Sequence, residues 1–409
     1  MRNAPRWISI TLGLLLLLGA TCASAQDWTQ WRGPQRDGVV AGFTAPNPWP
    51  AALTKGWRWT VGQGDAGPLL VGTKLYTFTR QGDSEMVACF NAADGKEIWH
   101  SANQTAPMAG PSAAAHAGPR GTPAIADGKI VTLGVMGTVS CLDATTGAVL
   151  WRNDPFPGDY PMFYASMSPI IVGGLAVVHV GGSGNGALLA YDLATGKQKW
   201  NWSAEGPAYS SPVLMTVEGT QALVELSDKS FIGVAVADGK QLWSVPFVPQ
   251  RMAYNAATPL VDGSTVIISG GGAGRGTQAY KIAKQGDTFT PTQLWANADV
   301  ACQFCTPVLV NGMIYGVSNQ GKLFCLKEAD GTAAWMDQTP HGRGFGSMLA
   351  AGGFILALPP DGTLIVMQPD GKQLATYKVS DEQTYALPIL AGNRIFIKDQ
   401  ETLGLWTIG

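Results

Sequence analysis

The chain reads as an all-β protein, an eight-bladed β-propeller of four-stranded antiparallel blades closed by its own N-terminal strand. Three observations predict this. A hairpin of fixed grammar recurs: an apolar strand, an Asp-led turn carrying Gly, then a strand that opens toward a Trp. A small residue followed by Pro opens an apolar strand at regular intervals, and the two chain ends hold complementary fractions of one unit.

Taken in order, residues 1–25 read as a secretory signal, because Arg2 and Arg6 precede an apolar run that ends in Ala23-Ser24-Ala25. The alternative, lipid attachment at Cys22, has only Gly19-Ala20-Thr21 as its recognition box. The expected location is therefore outside the cytoplasm: periplasmic in a cell with two membranes, otherwise secreted. Residues 26–56 carry Trp28 and Trp31 in a Pro-rich, low-charge stretch, expected as an extended segment packed on the flank of the propeller. Residues 57–409 hold the repeats.

The hairpin is clearest at Ala190-Tyr-Asp-Leu-Ala-Thr-Gly-Lys-Gln-Lys-Trp200 and Cys141-Leu-Asp-Ala-Thr-Thr-Gly-Ala-Val-Leu-Trp151. Shorter copies end at Trp99, Trp243 and Trp335, Trp295 follows a longer turn, and Tyr377 takes the Trp place in a seventh. Trp59 marks an eighth that lacks its preceding strands. The Asp bonds amides of its own turn, the Gly supplies a left-handed position, and the Trp is expected to wedge between blades. The Pro markers at 68, 123, 169, 212, 259 and 307 lie 55, 46, 43, 47 and 48 residues apart, the period of a four-stranded blade. Pro388 opens a last unit of three strands, Ser347-Met348 is a degenerate marker, and residues 57–61 supply the missing outer strand. Closure of this kind removes exposed sheet edges.

Composition limits the function. Net charge is −2 with 14% charged residues, which gives no basic footprint for nucleic acid. No stretch after the signal reaches the roughly 18 apolar residues of a membrane span, and a monomer is expected. Cys89, Cys141 and Cys325 share one strand position and read as small buried hydrophobes. Cys302 and Cys305, in Cys-Gln-Phe-Cys, read as a loop-stapling disulfide. His100, His116, His179 and His341 are scattered without metal-pair spacing and read as ordinary polar residues. Residues 270–276 read as a tight turn rather than a phosphate loop, and Asp143 and Asp192 as turn acceptors rather than paired acids.

These hairpins resemble the pyrroloquinoline-quinone (PQQ) repeat, whose Ala-x-Asp-x-x-Thr-Gly-x-x-x-Trp motif is matched at residues 190–200 and closely at 141–151. The resemblance covers roughly residues 57–409 and implies the propeller fold. It also implies one of two functional branches: quinoprotein dehydrogenases, or non-enzymatic scaffolds such as the outer-membrane assembly factor BamB. Fold alone does not choose between them. The dehydrogenase branch implies PQQ with calcium and usually a vicinal disulfide, and this sequence has no Cys-Cys pair. The leading expectation is an exported, non-enzymatic binding or scaffold protein. Its alternative is a small PQQ-dependent alcohol or sugar oxidoreductase.

Any ligand site is expected on the face where outer strands connect to the next inner strand. There Arg120, Arg251, Tyr254, Asn255, Arg343 and Phe345, with Arg275 nearby, are expected to converge on a small anionic ligand or a protein partner. The competing reading makes the same residues solvated loop tips. No catalytic residue and no metal ligand is assigned.

Overall fold

A computed structural model describes residues 27–110, 113, 115–250, 253–272 and 274–409. The signal segment and Cys22 lie outside the described residues. The strands form eight sheets of four strands each, with a fifth strand added to one of them. Blade 1 shows the plan: Leu69–Val71, Lys74–Gln81, Ser84–Asn91 and Glu97–Gln104 run antiparallel from the channel outward. Blade 8 joins Ile389–Ala391, Arg394–Lys398 and Thr402–Thr407 to an outer strand from the other chain end, Thr54–Thr60, with Thr54 opposite Thr407 and Thr60 opposite Thr402. The closing strand starts three residues earlier than expected, because Thr54 and Lys55 also find partners on the last strand.

The core lies in the seams between blades, where alternating strand residues face one another. In one seam Ala190 and Trp200 pack with Ile232 and Val234 of the next blade, all buried. The hairpin motif locks these seams. Trp151 donates its indole N–H to Leu193 O at 2.9 Å, and Trp200 donates to Val236 O at the same distance, each reaching the turn of the following blade. Beneath each indole lies the turn Gly of that blade. A Cβ placed on Gly147, Gly196, Gly239 or Gly331 would fall 2.4–2.7 Å from Trp99, Trp151, Trp200 or Trp295. Burying an indole contributes on the order of 4–6 kcal/mol by area, an upper bound. Two positions depart from this plan. Trp243 leans on Phe289 (6.0 Å) because the next blade replaces the short turn with a long hairpin. Trp59 is 51% exposed, with Trp57 taking the inner place beside Phe396.

The residue before each Pro has its own task. Thr122 N–H donates to Ser168 Oγ, Ser168 to Ser211 Oγ, Ser211 to Thr258 Oγ1 and Thr258 to Thr306 Oγ1, at 2.9–3.1 Å. Each hydroxyl thus satisfies a buried amide of the preceding blade, and with Gly67 N–H donating to Thr122 Oγ1 the chain of bonds links the first six blades.

The segment 27–40 corrects one expectation. It runs through the central channel instead of lying on the flank, leaving a cavity of about 530 Å³ between Arg36, Asp37 and the inner strands of three blades. Trp28 exchanges backbone hydrogen bonds with Leu70 (2.7 and 3.0 Å) and donates its indole N–H to Leu390 O. Arg36 donates to Ser168 O and Pro169 O, both at 2.9 Å. Arg32 donates to Thr306 O at 2.9 Å and Pro307 O at 2.6 Å, across the channel. Val39–Val40 then pairs in parallel with the inner strand Ser347–Ala351. The cause is an unmet demand. Innermost strands present backbone groups to the channel, and buried donors on this plug satisfy them. Both guanidinium groups lie over the Trp31 ring, at 5.5 and 5.6 Å from its centre. Burial holds Arg32 down to about 10 and Arg36 to about 9. Among the described residues no helix is long and apolar enough to cross a membrane.

Candidate functional site: the aromatic mouth of the channel

Above the plug, the segments that join each outer strand to the next inner strand surround a cavity of about 440 Å³. Every blade contributes to its wall, and the contributions share one register. Counting back three residues from the Pro or Met marker of each blade gives Asp65, Arg120, Ser166, Tyr209, Ala256, Phe304, Phe345 and Tyr385, and all eight line the cavity. The inner strands converge on the channel, so equivalent positions at their starts meet. Where the third position is small, at Ser166 and Ala256, a preceding aromatic residue reaches in: Phe163 and Tyr254.

The rings form a continuous belt. Phe163 meets Tyr254 edge-on at 5.1 Å, Tyr254 leads to Phe304 at 6.4 Å, and Phe304 stacks on Phe345 at 4.4 Å with planes 3° apart. Phe345 meets Tyr385 at 5.5 Å, and Tyr385 meets His116 at 4.8 Å. Offset and edge-on contacts of this kind hold rings in fixed orientation. Tyr209 closes the wall beside Tyr254, its hydroxyl accepting from Phe163 N–H, and burial raises its phenol pKa.

One corner is charged. His116 Nδ1 lies 2.6 Å from Asp65 Oδ2, and Arg120 donates to His116 O at 3.1 Å with its guanidinium over Tyr164. Burial lowers the Arg120 pKa, while Asp65 acts in the opposite sense. Behind Asp65, Lys398 is buried and donates to three backbone carbonyls, of Gly64, Asp399 and Gln400. Cationic and imidazole groups therefore outnumber the single lining carboxylate.

The structure brings together only part of the expected set. Arg120, Tyr254 and Phe345 line the cavity. Asn255 is buried and faces away, donating to Ser227 O and Phe247 O and accepting from Arg275. Arg275 is itself held over the Phe247 ring at 4.0 Å, so neither reaches the mouth. Arg343 is exposed at a loop tip outside the lining, and Arg251 lies outside the described residues. The expected cluster of guanidinium groups is thus replaced by an aromatic belt with one charged corner. His116 is part of that corner rather than an ordinary polar residue. His179 is buried against Glu225 at 3.0 Å.

Cys302 and Cys305 are both buried, as free thiols in contact with each other. Cys302 Sγ donates to Val317 O at 3.2 Å and meets the Cys305 thiol there, with Ile267 and Phe324 packed around the first and Val308 and Val317 around the second. Between them they fix the base of Phe304. Cys89, Cys141 and Cys325 are buried and unpaired. Asp143 and Asp192 accept from the amides of Thr146 and Thr195 in their own turns, at 2.8 and 2.9 Å, which lowers their pKa values.

For PQQ with calcium, the mouth offers flat aromatic walls and one guanidinium. It does not offer the carboxylate and amide cluster that calcium needs, since Asp65 is bound to His116. Among the described residues no group of three or more His, Cys, Asp or Glu is placed to hold a metal ion.

Comparison with known proteins agrees with the propeller fold. BamB of Yersinia pestis, an outer membrane protein assembly factor, is 23% identical over 376 residues, 84% of this chain and 86% of that one. The crystal structure of BamB from Moraxella catarrhalis superposes with a TM-score of 0.65 at 15% identity, covering 88% of this chain and 98% of the other. The quinohemoprotein alcohol dehydrogenase ADH-IIG of Pseudomonas putida superposes with a TM-score of 0.66 at 14% identity over 94% of this chain and 80% of its own. In sequence that enzyme aligns over only 34% of this chain and 19% of its own length, at 29% identity. The family model described as outer membrane protein assembly factor BamB matches residues 83–337, more than half of the chain, and the chain belongs to that family of PQQ-repeat propellers.

Proposed function

We propose that this chain is an exported, non-enzymatic scaffold of the cell envelope that holds a protein partner of outer-membrane protein assembly at its aromatic mouth. One observation carries the reading: all eight blades place their third residue before the marker on a single cavity, and half of its lining residues are Phe or Tyr. Rigid aromatic groups in a sealed recess are what a protein-binding hot spot requires. Family membership supplies the process, and residues 1–25 supply a route out of the cytoplasm, to the periplasm in a cell with two membranes.

The test is photo-cross-linking in living cells from positions 254 and 345, with position 294 on an outer strand as control. Cross-links from 254 and 345 to a β-barrel precursor or to a component of its assembly machinery are expected. Cross-links to such proteins only from 294 would move the site to the propeller's rim and refute the mouth. The oxidoreductase reading has a readout of its own. Saturable absorbance changes with PQQ and calcium, together with dye-coupled alcohol oxidation, would replace the scaffold.

A further inference from the structure

The cysteines of the described residues are all buried, and their surroundings divide them into two kinds. Cys89, Cys141 and Cys325 stand singly on the third strands of three blades, and burial pushes their thiols up to about 11, 12 and 11. A thiol held protonated in this way is a poor nucleophile. Cys302 and Cys305 sit instead in the loop between the outer strand Thr288–Asn297 and the inner strand Val308–Val310, where their sulfurs meet.

Both ends of this loop are fixed. Cys302 N–H donates to Ser269 Oγ at 2.7 Å, and Arg32 of the plug donates to the carbonyls of Thr306 and Pro307, the two residues after Cys305. Phe304, between the cysteines, bridges to Phe345 of the next blade and stacks on its ring. The Cys302 S–H has two acceptors within reach, Val317 O at 3.2 Å and Cys305 Sγ. Donation to Cys305 holds that thiol below its ordinary range in spite of burial, and the Val317 amide and the Arg32 guanidinium act in the same sense. Burial and the neighbouring sulfur push Cys302 well up. One sulfur is thus the nucleophile, and the other keeps its proton beside it. Two thiols close enough to share a proton need only a small rotation to bond at about 2 Å. Both residues are 0% exposed, so an oxidant that reaches them is about the size of a water.

We propose that Cys302 and Cys305 form a peroxide-sensitive dithiol, which hydrogen peroxide converts into a disulfide that staples the loop beneath Phe304. The Cys305 thiolate attacks one peroxide oxygen, the O–O bond breaks, and the departing hydroxide takes up the proton that Cys305 released. This gives one water and a sulfenic acid on Cys305. The Cys302 sulfur then bonds to the Cys305 sulfur, and its proton leaves with the displaced hydroxyl as a second water. Two thiols and one peroxide become one disulfide and two waters. The site is independent of what the mouth binds and meets the mouth through Phe304.

Mass spectrometry tests this on the full mature chain, reduced, freed of reductant and exposed while folded to millimolar hydrogen peroxide. After denaturation and alkylation, the expected product carries alkyl groups on Cys89, Cys141 and Cys325 alone. The peptide that holds Cys302 and Cys305 is expected to be lighter by two hydrogens than its reduced form. Joint loss of these two thiols is expected at least about tenfold faster than loss of any of the other three. Cys302→Ser is expected to stop at a sulfenic acid on Cys305 that dimedone traps, and Cys305→Ser to leave Cys302 as slow as the single thiols. A dimedone adduct on Cys302 in place of Cys305 would overturn the assignment of the nucleophile. In the wild type, whether or not either variant folds, three results overturn the proposal: alkylation of all five cysteines, loss spread evenly over the five, or oxidation of Cys305 without loss of Cys302.

Discussion

Replacing Gly196 by Ala probes the force that holds the ring together. The backbone there has φ +70°, and an added Cβ would lie 2.6 Å from the Cγ of the Trp151 indole in the preceding blade. The left-handed conformation costs a non-glycine residue about 1 kcal/mol. Forcing the indole aside adds about 1–3 kcal/mol of overpacking. The control is Gly219→Ala, with φ +77° and no atom within 4 Å of the new Cβ, which incurs the backbone cost alone. For a chain of this size 1 kcal/mol moves the melting temperature by about 1 °C. Gly196→Ala is therefore expected to melt about 2–4 °C below the wild type, and Gly219→Ala about 1 °C below. Far-UV circular dichroism, read during heating and in urea, follows both without depending on indole fluorescence. A double-mutant cycle sharpens the test. In a Trp151→Ala background the ring atoms at 2.6 and 2.7 Å are gone and only the residue-151 Cβ at 2.9 Å remains, so Gly196→Ala is expected to cost less than in the wild type, giving a coupling of about 1–2 kcal/mol. Equal losses for the two glycines, or a coupling of zero, would refute the seam as the site of specific indole-on-glycine packing.

Further outcomes follow from buried charge. Arg36→Met removes the donors to Ser168 O, Pro169 O and Gln30 Oε1 inside the channel. It is expected to cost about 3–5 kcal/mol and to speed hydrogen exchange at Leu70 and Ile125, whose amides bond to the plug; unchanged exchange would contradict a plug held by its arginines. Lys398 is held down to about 8, chiefly by burial, against Asp65 and Asp399, so between pH 8 and its ordinary 10.5 the folded chain binds fewer protons than the unfolded one. Stability from this group therefore rises with pH through that window, by about 3 kcal/mol, and Lys398→Met should abolish the rise in denaturation measured from pH 7.5 to 10.5. Glu85 is shifted the other way, raised mainly by burial and opposed by the Val135 amide and Arg80. The folded chain holds this proton longer than the unfolded one, so stability falls as pH rises out of the ordinary carboxylate range. Glu85→Gln, which keeps an acceptor for Val135 N–H, is expected to lose that fall relative to the wild type; parallel pH profiles would contradict it.

How far such features could be read without coordinates depends on whether their physical cause repeats. The seams repeat, so Trp151 over Gly196 and Trp200 over Gly239 leave the same letters in the chain each time, and the blade count and its closure follow from them. The mouth repeats in position but not in residue type. Asp65, Arg120, Ser166, Tyr209, Ala256, Phe304, Phe345 and Tyr385 share nothing except their distance from the marker. Charge alone points there to Arg343, which is exposed, and to Arg275, which is engaged by Asn255 and Phe247, and it carries no signal for Tyr209 and Tyr385. Aligning the eight segments on the marker and reading one column would have found the whole wall. The plug leaves no such column. Its arginines bind backbone carbonyls, which every residue carries, so no side chain elsewhere in the sequence marks their partners. A buried Arg between carbonyls and a solvated Arg on a loop look alike in a sequence. What separates them here is that eight inner strands leave their backbone groups facing one channel, and a chain that closes its ring with the strand Thr54–Thr60 has the residues ahead of that strand at hand to enter it.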